Sequence, residues 1–578
     1  MYLNHRPNYD KAPFVSVPGH TCEVGWDSIA ARLGGRVAVE CYPGVREADI
    51  LKELKLRLKP AVVILARDAM LPAAQIERLV APFLGGEDPV FGHLTNLKLE
   101  QFFDPQKISQ LQRRLQSARS ALVVGIGATL ILPQPDILVY ADLARWEAQR
   151  RFRTREAGNL GLDNRVLDPG VKYKQAYFVD WRVADRFKKP LLRRCDFVLD
   201  TNTGDQPQLA AGEAVREGLR GAARQPFRLV PFFDPAPWGG QWMKEVCDLD
   251  GAVPNYGWCF DCVPEENSLV LGLGNSRFEL PAIDLVFDQP RALLGEGVHA
   301  RFGEEFPIRF DLLDTMGGGN LSFQVHPLTE YIRQHFGMSY TQDESYYLLD
   351  AGPSANVCLG LREGVDRKEM ARDLAAAQAG GPAFNVERYA NQWPARKHDH
   401  FLIPAGTVHC SGANSMVLEI SATPYIFTFK LWDWGRLGLD GKPRPVHLQH
   451  GLPNIQWSRT TGWTRRELVN RIELLASGHG WREERTGLHP TEFIEARRHW
   501  FTGPVLHDTT GGVNVLNLIE GEEAIVESPD GAFEPLVVHY AETFIVPAAV
   551  GRYTIRPHGG AQGRECGTIK AFIRKEIS

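Results

Sequence analysis

The feature that most constrains the fold is a change of pattern near residue 223. Up to about residue 222, β-rich runs such as RVAVECYPGV and SALVVGIGATLIL alternate with runs of helical periodicity such as DPQKISQLQRRLQSA. Beyond it, short alternating strands follow one another, rich in glycine, proline and aromatic residues. The first pattern is typical of an α/β domain with a mainly parallel sheet, and the second of barrels or sandwiches. We therefore predict a multidomain chain with an α/β domain over 1–222 and all-β barrels after it.

The β-rich part is long enough for two barrels, because a chain of 578 residues exceeds what one hydrophobic core supports. A helix is predicted over 464–477, where Thr464 and Glu467 form a capping box, and the apolar stripe of this helix is Leu468, Ile472 and Leu475. We take this helix as the divider. The predicted domains are 1–222, a barrel over 223–460, and a linker helix with a second barrel over 461–578.

Charge and cysteine content exclude several classes of partner. The net charge of -5 gives no electrostatic reason to expect nucleic acid or an anionic membrane surface. No apolar run is long enough to span a bilayer, and the first residues lack the basic-then-apolar order of a signal peptide. The nine cysteines are scattered and odd in number, which suits a reducing compartment better than a disulfide scaffold. We therefore expect a cytoplasmic protein that binds neither nucleic acid nor membrane.

The segment SALVVGIGATLILPQPDILVYADLARWEAQRRFRTRE loosely resembles the second half of a uridine-kinase-like fold. That resemblance implies that Arg150, Arg151 and Arg153 face phosphates; the alternative is a solvated helix face. No GxxxxGK[ST] phosphate-binding loop exists in the chain, and the GxG at Gly125 and Gly127 lacks the third glycine of a dinucleotide fingerprint. We therefore expect a kinase-like scaffold without an ATP site.

The strongest chemical signal is a set of three short motifs. In LSFQVHP, Gln324 and His326 are two residues apart, so in a strand both side chains face the same side. QDESYYLL places Glu344 at the start of a strand, and IPAGTVHC contains the pattern PxGxxH that ends in His409. Two imidazoles, a carboxylate and an amide oxygen make a mixed nitrogen and oxygen site that suits zinc or another first-row divalent ion. We predict one such ion per chain.

These motifs also carry a family resemblance. PxGxxH is similar to the second motif of cupin barrels, and the stretch from about Asp234 to Trp457 resembles type I mannose-6-phosphate isomerase (phosphomannose isomerase). The matching segments are PAPWGG, LSFQVHP, IPAGTVHC and FTFKLWDWGRLGLDGKPRPVHLQ, and AETFIVPAAVGRYTIRP resembles that family's second, metal-free barrel. The resemblance implies a cupin or jelly-roll fold, with the zinc ligands named above. It also implies that residues 480–578 bind no metal, and their histidines have no QxH or PxGxxH partner.

Several positions depart from the family pattern. The lysine found two residues before the ligand glutamate is Gln342 here, and the arginine of the TYR segment is Lys430. A lysine in the preceding strand corresponds to Asp311, and the segment YGWC has no acid before Trp258. Because such changes remove positive charge, they weaken the expectation of a phosphorylated sugar more than that of a metal-binding barrel.

The resemblance implies an isomerase that converts mannose 6-phosphate to fructose 6-phosphate through an enediol, with zinc as cofactor and a phosphorylated hexose as substrate. Lys430 and Arg436 are the cations best placed by motif to meet the phosphate or the reacting oxygens, and strand alternation predicts that Lys430, Trp432 and Trp434 share one face. His398 and His400 are interpreted as surface imidazoles. Two alternatives stay open: a cupin that binds or senses a sugar without turnover, and an isomerase or epimerase for a different sugar.

Overall fold

A computed structural model describes residues 2–204, 206–423, 425–438, 441, 444–487 and 489–574. Four positions of the closing run FTFKLWDWGRLGLDGKPRPVHLQ, residues 439–440 and 442–443, lie outside these ranges. No helix in the described ranges is long and apolar enough to cross a membrane.

The N-terminal part alternates strands and helices. Its strands are β1 (Val15–Ser16), β2 (Cys22–Val24), β3 (Arg36–Cys41), β4 (Val62–Leu65), β5 (Ala121–Gly125), β6 (Ile137–Asp142), β7 (Phe197–Asp200) and β8 (Gln208–Ala211). Its helices are α1 (Trp26–Ala31), α2 (Glu47–Leu58), α3 (Ala73–Val80), α4 (Pro105–Leu115), α5 (Ala128–Ile131), α6 (Arg145–Arg153), α7 (Pro169–Gln175), α8 (Trp181–Leu192) and α9 (Gly212–Ala222).

Strands β2 to β8 form one seven-stranded sheet in the order β2-β8-β7-β6-β3-β5-β4. The pairs β3–β5, β3–β6, β4–β5 and β6–β7 are parallel, while β8 pairs antiparallel with β7 and with β2. The inner strands are buried on both faces, which explains their continuous runs of valine, leucine and isoleucine. The likeness to a kinase and the limits of this domain stay predictions.

The middle part holds two sheets that contribute to one barrel. Its strands are β9 (Phe232–Asp234), β10 (Trp258–Cys262), β11 (Ser268–Leu273), β12 (Ser276–Pro281), β13 (Arg309–Asp314), β14 (Phe323–Val325), β15 (Glu344–Ala351), β16 (Asn356–Leu361), β17 (Ala390–Pro394), β18 (His400–Ile403), β19 (His409–Ser411), β20 (Ser415–Ser421) and β21 (Phe429–Trp432). Its helices are α10 (Trp242–Val246), α11 (Ile283–Asp288), α12 (Pro290–Leu294), α13 (Glu296–Phe302), α14 (Thr329–Phe336), α15 (Arg367–Gln378), α16 (Val386–Tyr389) and α17 (Leu448–Asn454). The sheet orders are β18-β15-β20-β13-β10-β9 and β17-β16-β19-β14-β21, while β11 and β12 form a small sheet with β1.

The C-terminal part holds a second pair of sheets. After α18 (Thr461–Glu467), its strands are β22 (Glu473–Gly478), β23 (Trp481–Gly487), β24 (Ile494–Phe501), β25 (Val505–Asp508), β26 (Asn514–Glu520), β27 (Glu523–Glu527), β28 (Leu536–His539), β29 (Thr543–Val546), β30 (Arg552–Pro557) and β31 (Cys566–Ile573). The sheet orders are β22-β23-β24-β31-β26-β29 and β25-β30-β27-β28, and residues of both pack in one core. These several sheets are consistent with cupin-like barrels.

The predicted helix over 464–477 is wrong from Leu468 onwards. Helix α18 ends at Glu467, and residues 473–478 form strand β22, which pairs antiparallel with β23. Leu468, predicted as part of a helical stripe, is fully buried, and its carbonyl accepts a hydrogen bond from the Leu402 amide at 2.9 Å. Pairing of β22 with the following strand therefore overrides the local helical periodicity.

The interpretation of the arginines of α6 as a solvated face fails for Arg151, whereas Arg150 and Arg153 are exposed. Arg151 is buried and contacts Glu147 at 2.6 Å, and it also donates to the carbonyls of Gly44 and Thr201 at 2.9 and 2.6 Å. Arg150 pairs with Glu147, and Arg153 pairs with Asp234. All three guanidinium groups therefore form ion pairs with carboxylates of this chain.

Aromatic packing joins the N-terminal part to the strand β21 region. The Phe91 ring stacks on Phe427 at 5.4 Å and meets the edge of Phe429 at 5.2 Å. Nearby, the Tyr177 ring stacks on Tyr425 with centroids 3.8 Å apart. The segment that enters β21 therefore packs against residues that lie more than 200 positions earlier in the chain.

Candidate metal centre

The four side chains of the predicted metal set lie together inside the first barrel. Gln324 is the central residue of β14, His326 follows that strand directly, Glu344 begins β15, and His409 begins β19. Glu344 Oε1 lies 3.0 Å from His326 Nε2 and 2.9 Å from His409 Nε2, and the Gln324 amide nitrogen lies 3.2 Å from the same nitrogen of His409. The two imidazoles and the carboxylate are buried and form the one cluster of at least three potential metal-ligating side chains among the described residues.

Backbone carbonyls orient both imidazoles. His326 Nδ1 contacts the Phe427 carbonyl at 2.9 Å, and His409 Nδ1 contacts the Thr407 carbonyl at 2.8 Å. Because a carbonyl can only accept, each Nδ1 carries a proton, and each ring turns its Nε2 towards Glu344. Two imidazole nitrogens and a carboxylate that face one another fit a bound cation, and hydrogen bonds of this kind fix metal-binding histidines in other proteins.

The turn between β18 and β19 positions His409. Gly406 has a φ of 86°, and its amide donates to the carbonyl of His326 at 3.0 Å. The Thr407 hydroxyl donates to the Pro404 carbonyl at 2.7 Å, and the Arg459 guanidinium donates to that same carbonyl at 2.8 Å. The turn is thus hydrogen-bonded to the backbone of His326, and it leads directly to His409 at the start of β19.

The electrostatics favour an ionised carboxylate in the cluster. Burial alone would raise the pKa of Glu344, but His326 and His409 outweigh it and hold that pKa well below its usual range. The Gln342 amide donates to Glu344 Oε2 at 3.0 Å and accepts from the Phe427 amide at 2.8 Å. At the position of the family's lysine, the chain therefore has a neutral side chain that bridges the carboxylate and the backbone.

Lys430 lies on the same face as two of the predicted ligands. It stands directly opposite Gln324 in the antiparallel pair β14–β21, and Gln324 stands opposite His409 in the pair β14–β19. Directly paired residues of neighbouring strands point to the same side of a sheet. Burial lowers the pKa of Lys430 to about 8, and the nearby Arg444 adds to this effect. Asp433 acts in the opposite direction but compensates only in part.

Three cations meet at one carboxylate beside this strand. Asp433 lies 4.0 Å from Lys430, 2.7 Å from Arg436 and 2.7 Å from Arg444. Among the described residues, the cluster carries more positive than negative charge and therefore suits an anion. Sequence reasoning did not single out Arg444, although it is the second arginine of the quoted run and follows Gly441 by three residues.

The predicted face of Lys430, Trp432 and Trp434 holds only for the first two. Strand β21 ends at Trp432, and both residues are half-buried between buried neighbours. Trp434 has a φ of 57° in the following turn, and its indole donates to the Leu321 carbonyl at 2.7 Å. Since the chain leaves the extended conformation there, the strand alternation does not reach Trp434.

His398 and His400 are not surface imidazoles. His400 is fully buried in β18, where its Nε2 contacts the Ser345 hydroxyl at 2.9 Å, and burial lowers its pKa to about 3. His398 is half-buried between the Tyr347 hydroxyl at 3.1 Å and Glu520 at 3.1 Å. Glu520 belongs to the second barrel, so His398 lies at the junction of the barrels.

One buried carboxyl group near the cluster was missed from the sequence. Glu419 in β20 stands opposite Tyr346 and opposite Asp311, and the amide nitrogen of Gln342 lies 3.5 Å from it. Arg309 forms an ion pair with Asp311, whereas Glu419 forms no ion pair with a described residue. In the sequence, Glu419 lies ten residues after His409 and belongs to no recognised motif, so motif spacing did not identify it.

Comparison with known proteins gives two separate results. Residues 25–224 match the family profile of a domain of unknown function, DUF8485. The chain is 24% identical to mannose-6-phosphate isomerase ManA of Bacillus subtilis over 234 residues, which are 40% of this chain and 68% of that protein. It is 24% identical to mannose-6-phosphate isomerase of Streptococcus mutans serotype c over 217 residues, 37% of this chain and 63% of that protein.

Solved structures give the same comparison. The crystal structure of mannose 6-phosphate isomerase from Bacillus subtilis matches with a TM-score of 0.49 and 19% identity, over 60% of this chain and 99% of that chain. A mutant phosphomannose isomerase from Salmonella typhimurium matches with a TM-score of 0.47 and 14% identity, over 61% of this chain. The similarity to these isomerases is distant and covers only part of the chain.

Proposed function

We propose that the chain is a zinc-dependent aldose–ketose isomerase that converts mannose 6-phosphate to fructose 6-phosphate. The observation that carries the proposal is the convergence of His326, Glu344 and His409, with Gln324 beside them, in a barrel that bears a distant similarity to mannose-6-phosphate isomerases. The alternatives of a sensing cupin and of an enzyme for another sugar make different predictions for the assay given below.

The residues of the cluster fit the metal. Gln324, His326, Glu344 and His409 would hold zinc, with the amide of Gln324 turned so that its oxygen faces the imidazoles. When bound, zinc supplies Lewis acidity that polarises the substrate oxygens at C1 and C2 without redox chemistry.

The remaining roles follow from charge and position. Isomerisation moves a proton between C1 and C2, and Glu419 is the carboxyl group beside the cluster that no cation of the described residues holds. Lys430, Arg436 and Arg444 supply the positive charge that a phosphate requires. Lys430 is the nearest of these to the cluster by register, and Trp432 on its face offers an apolar surface for the sugar ring.

The test is a coupled assay of mannose 6-phosphate conversion with and without a chelator, run on protein whose metal content is measured first. We expect turnover, its loss on chelation, and its recovery when zinc is returned. Thermal stabilisation by the sugar phosphate without turnover would favour a sensing cupin. Turnover of only a different sugar would favour another isomerase or an epimerase.

A further inference from the structure

The interior of the second barrel is apolar at one end and polar at the other. Its apolar end contains Phe501 of β24, Leu518 of β26 and Cys566 of β31, which belong to one buried cluster. Because alternate residues of a strand face the same side, every second residue before Phe501 and after Cys566 also faces this interior. The first two of those positions are polar or charged on each strand: His499 and Arg497 on β24, and Thr568 and Lys570 on β31.

The strand registers arrange these side chains in rows across the barrel wall. His499 stands opposite Thr568, and Arg497 stands opposite Lys570. On the other side of β24, Arg485 stands opposite Arg497, so three cations lie side by side across β23, β24 and β31. Like charges directly opposite one another in a sheet are destabilising, so this row is not explained by the stability of the fold.

Among the described residues, Lys570 is the cation of this row that has no carboxylate within ion-pair distance. Arg497 contacts Glu495 at 2.6 Å and Glu483 at 3.1 Å, and Arg485 pairs with Glu473. Lys570 is 8% exposed. Burial lowers its pKa to about 8, because the more distant carboxylates, Glu483 first among them, offset this effect only in part and Arg497 adds to it.

Below Lys570, three polar groups are buried without a hydrogen-bond partner among the described residues. They are His499 Nδ1, His507 Nε2 and Thr568 Oγ1, in residues that are all less than 5% exposed. The two imidazole rings are 4.5 Å apart, and the His507 ring stacks on Tyr553 at 5.1 Å. Buried polar groups are normally satisfied, so several unsatisfied groups on one interior surface suggest a missing partner.

A cavity opens on the same end of the barrel. It has a volume of about 530 Å³, and its lining includes Arg485, Glu495, Arg497 and Phe572. The Lys570 ammonium lies 5.6 Å from the centroid of the Phe572 ring, which lines the cavity, so the lysine is next to the cavity wall. A cavity of this size accommodates a small organic molecule.

We propose that this polar end of the second barrel binds a small anionic polyol, either a sugar phosphate or a sugar acid. Lys570 and Arg497 would bind the anionic group near the mouth. His499, His507 and Thr568 would bind hydroxyl groups deeper inside. The site is separate from the metal cluster of the first barrel and does not depend on the function proposed for that cluster.

The test uses isothermal titration calorimetry on the full-length Lys430→Met protein, so that binding in the first barrel is weakened. The probes are mannose 6-phosphate, gluconate and inorganic phosphate. We expect one of the two polyols to bind, and the additional substitution Lys570→Met to weaken it about tenfold or more. Lys52→Met, at a lysine side chain that is 78% exposed, is the matched control and should leave binding unchanged.

Two further measurements separate a ligand site from a structural role. Lys570→Met should raise the melting temperature of the ligand-free protein, because it removes a buried unpaired charge. Thr568→Val keeps the shape of the side chain and should weaken binding while the protein stays folded. Failure of every probe to bind, or unchanged binding in both variants, would overturn the site. Equal binding of inorganic phosphate and the polyols would overturn the assignment to a polyol.

Discussion

At the scale of single residues, the difference between what spacing predicts and what it misses is clear in the first barrel. The QxH and PxGxxH patterns identify side chains that strand geometry brings to one place, because two-residue alternation and a glycine turn are local properties. Arg444 and Glu419 were missed because their place in the site depends on strand pairing and on a turn after β21.

Gln342 should tune the affinity for the metal. Its amide holds Glu344 Oε2 at 3.0 Å and is itself held by the Phe427 amide. We expect Gln342→Leu to fold and to weaken zinc binding roughly 10- to 100-fold, since partners that orient a ligand carry effects of that size. Competition with a chromophoric chelator measures this directly. Unchanged zinc affinity would show that Glu344 is oriented without the amide.

Lys430 should matter for turnover and not for the metal. Lys430→Met keeps the length of the side chain and removes its charge. We expect kcat/KM for a sugar phosphate to fall about 10²-fold, which corresponds to ~2.7 kcal/mol of transition-state binding. Zinc content should stay at the wild-type level, and Lys52→Met serves as the control. Full activity in Lys430→Met would transfer the anion-binding role to Arg436 and Arg444.

At the scale of elements, the sequence predicts individual strands more readily than it predicts which strands pair with one another. Periodicity gave the strand that holds Gln324 and the strand that begins at Glu344, yet it assigned residues 473–478 to a helix. The apolar residues there fit a period of 3.6 by coincidence, and the hairpin with β23 decided the outcome. A single sequence contains no direct record of such pairing, which is why the sheet orders were not predicted.

The turn before His409 should require its glycine. A Cβ at Gly406 would lie 2.7 Å from Gln456 Cγ and 2.9 Å from the Asn454 carbonyl oxygen, in a backbone with a φ of 86°. Gly364→Ala is the matched control, because Gly364 has a φ of 75° and open space around it. We expect the control to lose about 1 kcal/mol from backbone strain alone. In urea unfolding, Gly406→Ala should lose more free energy of unfolding than the control does, and zinc analysis should show that it has also lost metal. Equal losses of stability in the two variants would exclude a steric role for Gly406.

At the scale of the whole molecule, the second barrel is attached to the first by polar as well as apolar contacts. Glu520 at the end of β26 lies 2.6 Å from Lys397 and 3.1 Å from His398, both in the loop before β18. Burial works against ionisation of this carboxyl group, but His398 and Lys397 outweigh it and lower the pKa of Glu520 to about 2.

This junction should make stability depend on pH. A carboxyl group whose pKa is lowered by folding stabilises the protein above its unfolded pKa, and that contribution is lost as the pH falls from about 4.5 towards 2. Because the side chain is 38% exposed, we expect only ~0.5 kcal/mol at pH 7. Urea unfolding of Glu520→Gln should show this deficit at pH 7 and a smaller one at pH 3.5. A deficit that is constant with pH would exclude the ion pairs as its source.

The packing of Phe91 has a consequence for how far the protein can be shortened. Phe427, on which that ring stacks, supplies the carbonyl that orients His326, and Phe429 precedes Lys430. A fragment without the N-terminal part would therefore expose these aromatic rings of the first barrel. It would also release the segment on which a ligand and a cation both depend. The N-terminal third therefore has to be kept in any shortened protein that is meant to retain the orientation of His326 and Lys430.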